Sequence, residues 1–180
     1  VQGVSGATII TGYMGDLVED YVRTNYALEC DFVDQVEMKG LGHAIWVARE
    51  TLLDEPVLII LGDTVFDVDL SVLNTAAFST LGVKHVDDPK RFGVVIQNES
   101  FVVRLVEKPE TAVSHDALVG LYYIKNPRIL AESLDYLIKN DIKTKGEYQL
   151  TDALQLMVDR GEKFTTFNVE GWHDCGEPET

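Results

Sequence analysis

The chain has 180 residues, 46% apolar and 25% charged, a length and balance that suit one domain with its own core. A formal net charge of −15 opposes nucleic-acid binding, which needs a basic face, and means that any phosphate ligand needs a divalent cation or a few aimed lysines. No apolar run approaches a membrane span, no signal-peptide pattern opens the chain, and Cys30 and Cys175 make no disulfide framework, so a reducing cytoplasm is the expected setting.

Ala7 to Thr11 predicts a short strand, and Gly12-Tyr13-Met14-Gly15-Asp16 a turn whose aspartate caps a helix. Leu17, Val18, Tyr21 and Val22 fall on one face of that helix. Asp31 to Val36 predicts a second strand. Ala44, Val47, Ala48 and Leu52 trace a second helix, stopped by Asp54-Glu55-Pro56. Then five apolar residues, Val57-Leu58-Ile59-Ile60-Leu61, end on Gly62 and Asp63. Such a run predicts a strand buried on both faces that delivers a carboxylate to the carboxyl edge of a parallel sheet, where ligands of open α/β sheets bind. The alternation of strand and helix points to crossover helices on a parallel sheet.

Beyond Asp69 the pattern becomes hairpin-rich. Leu81 to Val86, Gly93 to Gln97, Phe101 to Glu107 and Ala117 to Ile124 predict strands, with a turn at Asn98-Glu99-Ser100. Ile129, Leu130, Ser133, Leu134, Leu137 and Ile138 trace an amphipathic helix. Leu150, Leu154, Met157 and Val158 trace another, closed by Gly161 in a left-handed conformation. Lys163 to Val169 predicts a last strand. Without repeats or a linker, residues 1–180 read as one mixed α/β domain. Both ends look cut: the chain opens just before a strand and closes at Glu177-Pro178-Glu179-Thr180 with no terminal element.

Several motifs bear on chemistry. Gly40-Leu41-Gly42-His43-Ala44 is a glycine turn entering a helix, able to bring backbone N–H groups against a flat ring or an anion. Gly62-Asp63 ends the apolar strand. Arg91-Phe92-Gly93 opens a hairpin strand, and Glu107-Lys108-Pro109 leaves its partner with the proline fixing the chain. Gly120 and Tyr122 share a strand in which the glycine marks close approach. Gly146 to Asp152 begins a helix, and Trp172-His173-Asp174-Cys175-Gly176 supplies a second isolated aspartate. Singly, each has an ordinary reading: Asp63 as a turn cap, Glu107 and Lys108 as a surface ion pair, His43 as a core or helix-surface histidine, Trp172 as core. His173 and Cys175 alternate around Asp174 and could form a nucleophile pair or a zinc site, but no third group stands out.

In this order the motifs resemble those of the sugar-1-phosphate nucleotidyltransferases, most of all the glucose-1-phosphate thymidylyltransferase and uridylyltransferase branch, over nearly the whole chain. The resemblance implies a Rossmann-like (GT-A-like) α/β domain with a mixed sheet flanked by helices, working in nucleotide-sugar biosynthesis on a nucleoside triphosphate and a sugar-1-phosphate. It implies that Asp63 and Asp174 hold a catalytic Mg2+, and that Gly40, Leu41, Gly42, His43 and Gly62 line the nucleotide. Phe92, Gly93, Glu107, Lys108, Gly120 and Tyr122 would line the sugar phosphate, with Lys108 also serving catalysis. His43 stands where many thymidylyltransferases have glutamine, and Phe92 where the family has tyrosine. The chemistry suits these roles: two anionic reactants need charge neutralisation and in-line positioning more than acid–base catalysis.

One segment of the pattern is missing. The family begins with a strand and a glycine-rich loop carrying an arginine and then a lysine, and this chain starts beyond where they fall. A chain without that segment is expected to be inactive alone and to expose strand edges that favour association into a homo-oligomer. Two other readings stay open: a non-catalytic nucleotide-sugar-binding or regulatory domain, and a nucleotidyltransferase acting on an alcohol phosphate such as phosphocholine.

Overall fold

The computed structural model describes residues 4, 6–52 and 55–176. Asp54 of the expected helix stop and the closing residues 177–180 lie outside that set. The first unit is β1 (Gly6–Thr11), α1 (Gly15–Asn25) and β2 (Glu29–Asp34). Its two strands pair in parallel from Gly6↔Glu29 to Thr11↔Asp34, as a strand–helix–strand crossover requires. Asp16 does not cap α1. Met14 precedes the helix in a left-handed conformation, and Asp16 sits inside the first turn, where its charge meets the positive end of the helix dipole. The apolar stripe is present but uncovered: no residue of α1 is buried, and Leu17 and Tyr21 are 58% and 60% exposed.

The chain continues through α2 (Leu41–Val47), β3 (Val57–Ile60), β4 (Thr64–Asp67) and β5 (Ser79–His85). A hairpin of β6 (Gly93–Asn98) and β7 (Phe101–Glu107) turns at Glu99, which is left-handed as such a short turn demands. Then come β8 (Asp116–Ile124), α3 (Pro127–Lys139), α4 (Leu150–Asp159), β9 (Phe164–Asn168) and β10 (Gly171–Asp174). Gly146 lies in a turn before α4, not in the helix. Gly161 ends α4 at φ +92°, with its own N–H donating to Val158 O and the next N–H to Met157 O, the paired bonds of a glycine-terminated helix. Among the described residues, no helix is long and apolar enough to cross a membrane.

The main sheet runs β7-β6-β8-β5-β9, with β3 also on β8. It is mixed: among the described residues β5 and β9 pair in parallel and its other pairings are antiparallel. The expected parallel placement of β3 is therefore corrected: it runs antiparallel to β8, from Val57↔Ile124 to Ile60↔Leu121. Burial on both faces is corrected as well. Val57, Ile59 and Leu61 pack on the main core and Leu58 on a second cluster, but Ile60 is 51% exposed.

The strand β8 holds the site in place. One of its edges is occupied by β5. The other is shared, with Val94 of β6 opposite Ala117 and β3 taking the stretch from Leu121 onward. Between them Gly120 sits at φ +82°, where a Cβ would lie 2.9 Å from Leu61 Cγ, and its carbonyl accepts from Leu61 N–H at 3.0 Å. The partners β3 and β6 thus diverge from one strand and leave an opening. On one side of the sheet, α3 and α4 close the core with Leu130, Leu134, Leu137, Leu154 and Met157 against Leu81, Ile124 and Phe164, all at most 2% exposed. On the other, Val119, Leu121 and Val169 gather Phe66, Phe167 and Trp172.

Candidate functional site

Neither β4 nor β10 was foreseen as a strand, yet their antiparallel ribbon brings the two isolated aspartates together. Asp174 pairs with Thr64, so Asp63 and Asp174 stand at the same end of the ribbon. A Cβ built on Gly176 would lie 3.0 Å from Asp63 Oδ2 and 3.2 Å from Asp174 Oδ1. Both carboxylates therefore converge on a space kept open by the missing side chain. Backbone bonds hold them: Cys175 N–H donates to the Asp63 carbonyl at 2.7 Å, and Gly176 N–H to Asp174 Oδ1 at 3.0 Å. Gly62 is exposed with open space around its Cβ position, so packing does not demand a glycine there.

The opposite wall is the start of the β6–β7 hairpin. Gly93 faces Glu107, and a Cβ on Gly93 would lie 2.9 Å from both Glu107 Oε2 and Thr151 Oγ1. Thr151 Oγ1 donates to Glu107 Oε2 at 2.6 Å. Burial pushes the Glu107 carboxyl above its ordinary range, while the Thr151 hydrogen bond and the Lys108 charge pull it back. Lys108 is left-handed at φ 41° directly before Pro109, an unusual place for a side chain, and its N–H donates to Phe92 O at 3.1 Å. The Phe92 ring stands edge-on to Trp172 with centroids 5.2 Å apart, joining this wall to the aspartate ribbon. The Trp172 indole N–H is buried with no hydrogen-bond partner among the described residues.

Tyr122 packs in the main core at 4% exposure, and its hydroxyl is pushed far above the ordinary range by burial and then by the charges of Glu107 and Asp63. It feels both walls. Gly120 packs against Leu61, so its conformation answers to a neighbouring side chain. Asp152, half-buried beside Thr151, is also pushed up by burial. The sequence assigns Thr151 and Asp152 no role beyond opening a helix, because a side-chain partner on a distant strand leaves no local pattern; the buried indole N–H of Trp172 has no signature in sequence at all.

The glycine turn forms a third region. Gly40 takes φ +101°, and Gly42 N–H donates to Tyr148 O at 2.8 Å while Tyr148 N–H donates to Lys39 O at 2.9 Å. A Cβ on Gly42 would lie 2.8 Å from Tyr148 O. The Gly42 N–H is thus spent within the protein and is not among the donors this turn can bring to a ligand. Leu41 packs on the main core and His43 is 6% exposed. Through Tyr148 the turn is tied to the segment that continues to Thr151 and Glu107. His173 and Cys175 are both exposed, with the Cys175 thiol 3.9 Å from the His173 carbonyl, and among the described residues no three His, Cys, Asp or Glu side chains gather for a metal.

A family model described as nucleotidyl transferase matches residues 2–180. A UTP–glucose-1-phosphate uridylyltransferase of Staphylococcus saprophyticus is 34% identical over 179 residues, which cover 90% of this chain and 60% of that protein. A bifunctional protein GlmU of Methanocaldococcus jannaschii is 30% identical over 97% of this chain and 41% of its own length. A crystal structure of UDP-glucose pyrophosphorylase complexed with UDP-glucose superposes with a TM-score of 0.79 at 26% identity, covering 97% of this chain and 77% of that one. The chain spans less than two thirds of the length of these two curated relatives.

Proposed function

From a chain that belongs to the nucleotidyl transferase family, we propose a sugar-1-phosphate nucleotidyltransferase, which joins a nucleoside triphosphate to a sugar-1-phosphate and releases pyrophosphate. The observation that carries this reading is the convergence of Asp63 and Asp174 on Gly176, on a ribbon whose Trp172 meets Phe92 beside Gly93, Glu107 and Lys108. An attacking sugar phosphate and a triphosphate repel each other, so the site must gather positive charge where their oxygens meet. The donor set suits magnesium: two carboxylates supply hard oxygens, leaving the remaining positions for phosphate and water. Asp63 and Asp174 would hold such an ion, which would supply neutralisation of phosphate charge.

The chain's own groups do the rest. Lys108, turned out of its strand, offers an ammonium to the sugar phosphate. Glu107, oriented by Thr151, accepts from sugar hydroxyls, and the tight Gly93 leaves its carboxylate room. Phe92 and Trp172 form an apolar wall beside them. The Gly40–His43 turn lines the base.

The test is magnesium-dependent pyrophosphate release across a grid of nucleoside triphosphates with sugar-1-phosphates and phosphocholine. It is run on this chain and on a version preceded by the glycine-rich segment of the family pattern. Activity with a sugar phosphate, cut by about 100-fold or more in Asp63→Asn, supports the reading. Activity with phosphocholine alone changes the substrate class. Silence with every pair, alongside binding of a nucleotide sugar, favours a binding domain.

A further inference from the structure

His43 and Gln35 form a buried pair, at 6% and 8% exposure, and a base-lining role for the turn does not by itself account for their contact. The Gln35 side-chain nitrogen donates to Gly40 O at 3.2 Å and lies 3.1 Å from His43 Nδ1. Its direction is fixed by Gly40: with the amide reversed, its oxygen would face a carbonyl oxygen. The nitrogen is then the donor to His43 as well, so His43 Nδ1 accepts and the ring is neutral with its proton on Nε2. The ring lies near-parallel to Tyr148, with centroids 6.3 Å apart, and 5.6 Å from Trp46. Gln35 is in turn anchored by its own N–H to Thr11 O at 2.7 Å, at the end of the β1–β2 ribbon.

We infer that His43 is a positioning residue, whose neutral ring holds Gln35 and through it the Gly40 turn in the shape that receives the nucleobase. The inference rests on the reading of that turn as the base site. An imidazolium is incompatible with this brace. A proton on Nδ1 would face the Gln35 nitrogen donor to donor, and turning the amide to accept it would set Gln35 Oε1 against Gly40 O. The charges that act on the ring are Lys39 and Glu37 in the loop before α2, paired with each other at 2.6 Å, while from before α4 it meets the Tyr148 ring. Burial, then Lys39, holds the imidazole below its ordinary value, and Glu37 opposes them more weakly. The brace is therefore intact at neutral pH and lost as pH falls through that lowered value.

Calorimetric titration with magnesium–UTP and magnesium–dTTP, from about pH 8 down in steps to the lowest pH at which thermal melts show the fold intact, tests this in the wild type, His43→Leu and His43→Asn. Asn Oδ1 can accept from Gln35 where Nδ1 does but does not titrate. Because the nucleotide's terminal phosphate itself titrates, the wild type is read against His43→Asn at each pH. The two should bind alike at high pH, and the wild type should fall about tenfold below His43→Asn at low pH, the scale of one lost hydrogen bond. His43→Leu should bind about tenfold more weakly than the wild type at high pH, with thermal melts showing that it folds. A His43→Leu protein that binds like the wild type, or equal pH courses for wild type and His43→Asn, overturns the inference and leaves the base site standing. A wild type that binds neither nucleotide overturns both.

Discussion

The β1–α1–β2 unit and the six-stranded sheet follow the same rules of local structure but differ in what covers them. In α3 the apolar stripe that the sequence predicts is buried, with Leu130, Leu134 and Leu137 at most 2% exposed. In α1 an equally regular stripe faces outward, with Leu17, Val18 and Tyr21 all exposed, as are Tyr13 and Met14 just before it. Periodicity tells which residues share a face, and it leaves open whether that face meets a core. The stability of this structure is therefore expected to reside in the later sheet with its two helices.

The largest effect that would break this contrast concerns Phe164, fully buried at the start of β9. Phe164→Ala should cost about 3–5 kcal/mol in denaturant unfolding, as large truncations in tight cores do. A cost under about 1 kcal/mol would move the core elsewhere. A smaller effect, of opposite sign, is expected at Glu107, where the sheet meets the opening. Its carboxyl sits above the ordinary range because it is buried, so the folded state is penalised for ionising it, fully so once the pH exceeds that raised value. Glu107→Gln should thus raise the melting temperature at neutral pH, and the gain should vanish as pH falls below the ordinary carboxylate value. A drop in melting temperature at neutral pH would mean that the charge is stabilising. The smallest effect belongs to Leu17, where Leu17→Ser should change unfolding free energy by no more than about 0.5 kcal/mol. A larger loss would show that the α1 face is covered in solution and erase the distinction.

Much of this was legible in the residues. The turn at Glu99, the end of α4 at Gly161 and the faces of α3 follow from short-range rules that the structure obeys. The pairing of β3 was not, because a run of five apolar residues specifies burial and says nothing of which strand lies beside it or in which direction. Nor were β4 and β10, four-residue strands whose existence depends on each other across a long stretch of chain. At the site, Asp63 and the Glu107–Lys108 pair stood out as charges at the ends of apolar strands, and Asp174 as an isolated aspartate. The buried partnership of Gln35 and His43 did not, since a hydrogen bond between two polar side chains needs a folded turn before it has any pattern to leave.

The divergence at Gly120 has a mechanical consequence. The two walls of the opening hang from successive stretches of a single strand edge, one carried by β3 and the other by β6. They resemble the arms of a pair of tweezers joined at the spring. A small rotation at that one backbone position is multiplied along each arm before it reaches Asp63 on one side and Gly93 on the other. The aperture is thus set by the torsion of one glycine wedged against Leu61.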